Sequence, residues 1–396
     1  MLGTGTPKGG GVMRLDFLRA LYEDPPGEFG GRYVSVYLDT TPTTAEAGTE
    51  VALRWQDARG RLAAAGADDA TLEAVDRAAT VLDHAVRGRV IFARGGATWL
   101  EGALPWPPRR ELANLAPLPH VLPWLAQIPL QVPHVRVAAT KVGGHVVAVS
   151  AVAAGEAVAQ TTIDGASWPV HKVSAGGWSE QRLQRSAEET WAATAKRIAA
   201  VTVAEAGRVR AEFVMVGGDV RERSMVLDLL PSTLRESAVT MDREVDADDP
   251  EFEARAEAEE RRRAALSGRA LLDDLAVRLG GGGADEHRAV TGLAGTLTAL
   301  REGLASDVLL VGEPSWVPEA VWIGPGLTDA ATERAALVER GVADPLQGRT
   351  DAALVRAAAG TGAELHFIPA DVADAAGTPL VTDGVAALLR APASAL

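Results

Sequence analysis

The chain contains no cysteine. That excludes a disulfide framework, thiolate metal sites and a cysteine nucleophile. No run of about 18 apolar residues occurs, so no membrane-spanning helix is expected. Basic residues are in the minority, 39 Lys and Arg against 53 Asp and Glu, for a net charge of −14. An acidic chain is a poor match for broad, non-specific binding to nucleic acid, which uses a basic surface, so any contact with a polyanion must come from a local patch. Only seven histidines are present. None pairs at i, i+4 or sits in an HExxH context, which argues against a zinc site. GxSxG and GxxxxGK[ST] are also missing. The glycine runs at residues 9–11 and 280–283 lack a strand–loop–helix context and read as linkers. No cofactor and no metal are expected.

What is present is a chain of 396 residues, 47% of them hydrophobic. That is enough for a sizeable core and suits two or three domains. The opening MLGTGTPKGGGV has no apolar signal core. Residues 1–12 read as a disordered lead-in, with Met13 starting the folded part, and the expected compartment is the cytoplasm.

The alternation of helical and strand patterns predicts an α/β (α+β) protein of three domains, at residues 13–131, 132–266 and 267–396. In the first, MRLDFLRALYE is a short amphipathic helix and residues 32–39 form a strand. Helices follow at 45–65 and 69–86, then two strands around the turn Gly95-Gly96. A stretch with eight prolines between Pro105 and Pro133 forbids long helices. It reads as an interdomain connection with a short edge strand or helix. In the second domain, VRVAATKVGGHVVAVSAV is a hairpin turning at Gly143-Gly144, and EAVAQTTIDG extends its sheet. A long helix over residues 179–206 carries an apolar stripe of Leu183, Ala187, Trp191, Ala195, Ile198 and Val201. A buried strand at 211–216 and a helix in VRERSMVLDLL follow. The charged segment after Pro250 is a solvated connecting helix ending at the glycine run. In the third domain, residues 287–305 form a helix, DVLLVG a strand, AALVRAAAGTGAELHFI a helix, turn and strand, and VTDGVAALLR a final helix. The sheet there is expected to be mostly parallel.

The stretch VHKVSAGGWSEQRLQRSAEETW holds the candidate site. Gly176 and Gly177 permit a tight, exposed tip. Ser179 is placed to cap the helix that follows, with Glu180 in its favourable first turn. Gln181, Gln184, Arg185 and Glu188 share a helical stripe, with Arg182 beside it. From Lys172 to Arg197, five basic residues (Lys172, Arg182, Arg185, Lys196, Arg197) face three acidic ones (Glu180, Glu188, Glu189), a local +2 in an acidic protein. Such side chains suit phosphate contacts, and Trp178 at the tip either stacks on a partner or folds back on the helix. An ordinary surface loop is the alternative.

The order of segments and this loop resemble the bacterial relatives of the archaeal and eukaryotic translation release factor and of the rescue factor Pelota. They most resemble the actinobacterial proteins grouped with the hibernation factor Balon. The resemblance rests on MRLDFLRALYE, on YVSVYLDTT followed by LRW, on HKVSAGGWSEQRLQRSAEE, and on TALREGLASDVLLVG with TDGVAALLR. It implies a first domain on the decoding side of the ribosome. It implies a ribonuclease-H-like middle domain sending its loop toward the peptidyl-transferase centre, and a last domain similar to kink-turn-binding ribosomal proteins. Release factors carry Gly-Gly-Gln at the tip. Here Gly176 and Gly177 match, but Trp178 replaces the Gln, and a stop-codon motif that includes Cys cannot exist. The resemblance therefore implies a non-enzymatic hibernation or stress factor in the vacant A site. Lys172, Gly176, Gly177, Trp178, Arg182, Gln184 and Arg185 would contact ribosomal RNA. Elongation factor Tu is a candidate partner, DNA and membrane are not, and the factor would act as a monomer. Two alternatives stay open: a peptidyl-tRNA hydrolase or rescue factor with Gln181 as catalytic residue, and a stress-related protein-binding scaffold.

Overall fold

The computed structural model describes residues 15, 18–22, 29–41, 47–79, 87–104, 106–108, 110–127, 132–140, 143–149, 159–164, 178–243, 245, 249–280, 288–312, 320–375 and 381–392. The predicted lead-in lies outside them, as do Met13, Arg14, Asp16, Phe17 and Glu23 of the first predicted helix. In chain order the elements begin with α1 (Arg19–Tyr22), β1 (Tyr33–Asp39), α2 (Ala47–Ala64), α3 (Asp69–Ala79), β2 (Gly88–Arg94), β3 (Ala97–Leu104), β4 (Leu112–Ala116) and α4 (Leu122–Leu125). Next come β5 (His134–Thr140), β6 (Gly143–Val149), β7 (Ala159–Asp164), α5 (Trp178–Val209), β8 (Phe213–Gly218), α6 (Val220–Leu229), α7 (Ser232–Glu236), β9 (Ala238–Met241) and α8 (Pro250–Gly280). The last stretch holds β10 (Ala289–Thr291), α9 (Leu293–Arg301), β11 (Ala305–Val311), β12 (Ala320–Ile323), β13 (Ala330–Ala331), α10 (Arg334–Val338), β14 (Leu346–Arg349), α11 (Thr350–Thr361), β15 (Glu364–Ile368), α12 (Ala370–Ala375) and β16 (Val385–Leu389). The fold is mixed α/β, as the sequence predicts.

Two compact units result. Leu130–Val152 and Glu156–Ala264 form one, Val12–Pro129 and Ala265–Leu396 the other. The first unit is drawn from the middle of the sequence and the second from the segments that flank it. Within that second unit, β3-β2-β1-β4 make an antiparallel sheet. Period-2 alternation divides its residues. Val34, Val36, Leu38 and Ile91 face α2 and α3, packing on Trp55, Leu62, Leu72 and Val75. Tyr33, Tyr37, Val90 and Phe92 belong to another core with Trp124, Leu297, Leu310 and Leu354. The proline-rich stretch is therefore no mere connection. It supplies the edge strand β4 and the short helix α4, whose Trp124 is fully buried.

A buried polar network links the two halves of this second core. His120 Nε2 lies 2.8 Å from Asp351 Oδ2. Tyr37 Oη donates to the His120 carbonyl at 2.6 Å, and the His120 amide donates to Ser35 Oγ at 3.0 Å. Arg349 binds both oxygens of Asp351, at 3.1 and 2.9 Å. Burial alone would raise the Asp351 pKa. The His120 hydrogen bond and charge, with Arg349, outweigh it and bring the carboxyl from 3.8 to about 2.

The last segment builds a sheet of order β10-β16-β11-β15 and a small sheet β13-β12-β14. Two expectations fail here. VAALL is strand β16, not a helix, and it sits inside its sheet with all five residues buried. Ala and Leu favour helices, but a short apolar run reads either way, and pairing on both edges decides it. The sheet is also mostly antiparallel, since only β11 and β15 run parallel. The helix predicted over 287–305 is a strand, β10, followed by α9, which begins after Gly292 at φ 84°. Residues 281–287, with most of the glycine run, lie outside the described residues. Among the described residues no helix is long and apolar enough to cross a membrane.

Asp351 sets a measurable pH response. Its folded pKa lies below its unfolded value, so its stabilisation, about 2 kcal/mol, is present above pH 4 and fades as pH falls toward 2. Urea unfolding of the wild type and of Asp351→Asn between pH 7 and 2 is expected to show a stability difference about 2 kcal/mol larger above pH 4 than at pH 2. A difference independent of pH contradicts the assignment.

Candidate functional site

The unit that holds the Gly-Gly stretch is a five-stranded sheet of order β7-β6-β5-β8-β9. β5, β8 and β9 run parallel, while β6 and β7 are antiparallel to their neighbours. Each strand alternates faces. Val135, Val137, Ala139, Val214 and Val216 pack with Ile198 and Ala199 of α5 and Val226 of α6. Ala138, Phe213 and Met215 pack with Phe252 and Ala256, from the first turns of α8. The segment after Pro250 is thus helical as predicted but not simply solvated.

The hairpin turn is not at the glycines. Thr140 pairs with Gly143, so residues 141–142 make the connection and Gly143 and Gly144 open β6. Gly144 serves a different purpose. A Cβ there would lie 2.6 Å from Ile198 Cδ1 and 3.1 Å from the Ala138 carbonyl. Its bare backbone lets the long helix seat directly on the strand.

The helix α5 covers the predicted span and begins at Trp178. Ser179 is its second residue, two positions past the N-cap place that the sequence assigns it. The buried face of the described part runs through Ala195, Ile198, Ala199, Thr202, Ala206 and Val209. Val201, predicted to lie on the stripe, is only half-buried. Thr202 is tolerated on this face because its hydroxyl donates to the Ile198 carbonyl at 2.8 Å. Arg197 Nη1 donates to the Asp164 carbonyl at 2.9 Å, tying the helix to the end of β7. The Arg221 guanidinium lies 5.2 Å from the Trp191 ring centroid. A small cavity beside this contact is bordered by Thr140, Trp191, Thr194 and the buried Glu222.

The structure brings Trp178, Gln181, Arg182, Gln184 and Arg185 into the first two turns of α5, a span of about 10 Å. Their side chains, and Lys172, Gly176 and Gly177 altogether, lie outside the described residues. Sequence reasoning missed the elements that hold the opposite face. His134 stacks on Phe213 with ring centroids 4.6 Å apart, and its Nδ1 lies 3.3 Å from Glu260 Oε1. Beside them Arg262 lowers the pKa of Glu259 and Arg263 adds to the effect. Arg263 also donates to the Glu212 and Ser237 carbonyls. Isolated histidines and i, i+4 charges in a sequence do not reveal such contacts.

Residues 133–281 match the family model for bacterial archaeo-eukaryotic release factor family 2. Over that span, less than half of the chain, the sequence is similar to bacterial relatives of the archaeo-eukaryotic release factors. The matched span contains the whole Gly-Gly stretch and α5. The whole chain is 29% identical over 375 residues to an uncharacterised protein of Mycobacterium tuberculosis, covering 91% of this chain and 93% of that protein. Among solved structures, the archaeal translation termination factor aRF1 is 14% identical, with 94% of this chain and 96% of that one covered and a TM-score of 0.24. Archaeoglobus fulgidus Pelota is 14% identical, with 95% and 91% covered and a TM-score of 0.32.

The seat of α5 is testable without knowing its target. Gly144→Ala is expected to cost about 1–3 kcal/mol by overpacking, read by urea unfolding. Adding Ile198→Val to that variant is expected to recover part of the loss in a double-mutant cycle. Strict additivity of the two changes contradicts the contact.

Proposed function

We propose that this protein is a ribosome-associated factor of the release-factor type that occupies the vacant A site without hydrolysing peptidyl-tRNA, as a hibernation or stress factor of the Balon-like group. The family match over residues 133–281, with Trp178 following Gly176 and Gly177, is the observation that carries it. A family-typical span containing this loop supports the ribosome as partner. The missing Gln speaks against ester hydrolysis. In this reading the loop tip points toward the peptidyl-transferase centre. Lys172, Gly176, Gly177, Trp178, Arg182, Gln184 and Arg185 meet ribosomal RNA, and the site of action is the cytoplasm. The strand order of the middle unit supports its ribonuclease-H-like assignment. A three-domain division, a last domain of the kink-turn-binding type, elongation factor Tu as partner and action as a monomer belong to the same proposal.

The chemistry is that of contact rather than bond cleavage. Arg182 and Arg185 offer charge-assisted hydrogen bonds to phosphate. Trp178 offers a face on which a base can stack. Local charge decides such contacts, and here it is positive although the whole chain is acidic.

Co-sedimentation with vacant 70S ribosomes over a salt series tests the proposal. Pelleting at physiological salt is expected, weakening as salt rises, and Arg182→Glu with Arg185→Glu should abolish it. No pelleting at any salt favours the protein-binding scaffold. Peptide release from peptidyl-tRNA complexes, lost in Gln181→Ala, would instead establish the hydrolase. Replacing Gly176 and Gly177 with Val is expected to weaken pelleting while the melting temperature stays nearly constant.

A further inference from the structure

In the second unit, β11 and β15 run parallel, with Asp307 directly opposite Glu364. Residues i and i+2 of a strand share a face, so His366 lies on the same side as Glu364. One ligand atom from each of Asp307, Glu364 and His366 lies within 4.8 Å of the other two. His366 Nε2 is 2.9 Å from Asp307 Oδ1 and 4.0 Å from Glu364 Oε2. We infer that Asp307, Glu364 and His366 form a divalent transition-metal site, with Zn2+ as the cation it takes best.

Two observations set this cluster apart from a plain ion pair. Two carboxylates in register on neighbouring strands repel each other, and a divalent cation between them removes the repulsion. Asp307 is also oriented, because Ser306 Oγ donates to its other oxygen, Oδ2, at 2.7 Å and contacts the Leu388 carbonyl at 3.1 Å. A hydrogen bond that fixes the unused oxygen of a carboxylate is how metal ligands are held in place. An imidazole with two carboxylates suits Zn2+ among the abundant divalent ions, with Mn2+ bound more weakly. Donors around a tetrahedral zinc stand roughly 3.4 Å apart, so only the Glu364 carboxylate has to approach. Its side chain is 39% exposed and free to turn, whereas that of His366 is 9% exposed and held. The exposed side leaves a coordination position for water and a path of entry. Ligands come from strands far apart in sequence, so no spacing motif announces them. β15 is the edge of its sheet, and a bound ion would clamp that edge to β11.

The inference does not rest on ribosome binding. Its test uses the full chain, stripped with a chelator and titrated with Zn2+ alone against a chromophoric zinc indicator. One Zn2+ per chain is expected, with a higher melting temperature when it is bound. Glu364→Gln is expected to weaken binding by about tenfold or more, His366→Gln to abolish it, and Ser306→Ala to weaken it by roughly 10- to 100-fold. Co2+ should give visible absorption bands that are lost in His366→Gln. Because His366 is buried, Glu364→Gln is the deciding variant, its fold checked by circular dichroism without metal. A wild-type chain that takes up no Zn2+, or a Glu364→Gln chain that binds it as tightly as wild type, overturns the assignment.

Discussion

The second unit depends on a buried charge that cannot be left alone. Asp351 sits at the start of α11 with its side chain about nine-tenths hidden. A buried carboxylate is tolerable only when paired and hydrogen-bonded. Its partners come from both ends of the chain, His120 from the proline-rich stretch and Arg349 from β14. Tyr37 and Ser35 of β1 then hold His120 by its own backbone. Breaking any one contact leaves the others exposed to the full cost of desolvation, so the first and last segments have to order together. Trp124 and Phe92 extend the same dependence through apolar contact, their ring centroids 6.4 Å apart. In sequence, the middle unit separates the two segments of the second, beginning after residue 129 and ending within α8.

Inside the middle unit the same logic applies to a single helix. The candidate tip residues precede or begin α5, so the tip is only as well placed as the shaft that follows. That shaft is set by a strand glycine without a side chain, by threonines that bond back to their own helix, and by Arg197 on the last carbonyl of β7. A contact surface built on the first two turns of α5 inherits its position from packing some four turns further along.

Much of this was legible in the sequence. β1, α2, the Gly95-Gly96 hairpin, α5, α6 and α11 follow from period 2 or period 3.6 with glycine or proline at their ends. Gly95 and Gly96 have φ of 59° and 79°, as a tight turn there requires. The failures share a cause. VAALL, the strand at 289–291 and the Gly143-Gly144 pair are short segments whose state is set by what pairs beside them, and composition cannot report that. The candidate loop was legible as a motif, through its glycines and clustered polar residues. The groups that hold its unit together, His134 with Glu260 and Gly144 under Ile198, were not, because each is a meeting of distant residues.

Charge placement reconciles an acidic chain with the polyanionic target proposed for it. The arginines of α8 are largely engaged within their own helix: Arg261 with Glu257, Arg262 and Arg263 with Glu259, Arg269 with Asp273, Arg278 with Asp274. Such i, i+3 and i, i+4 pairs add a few tenths of a kcal/mol each and cancel one another's field beyond about 10 Å. Residues 172–197 are composed differently, with five basic residues against three acidic ones. At physiological salt a phosphate near the start of α5 would respond chiefly to the charges closest to it, because fields are screened over about 8 Å. The net charge of −14 then limits non-specific adhesion elsewhere on the surface, as the proposed contact with a single RNA site requires.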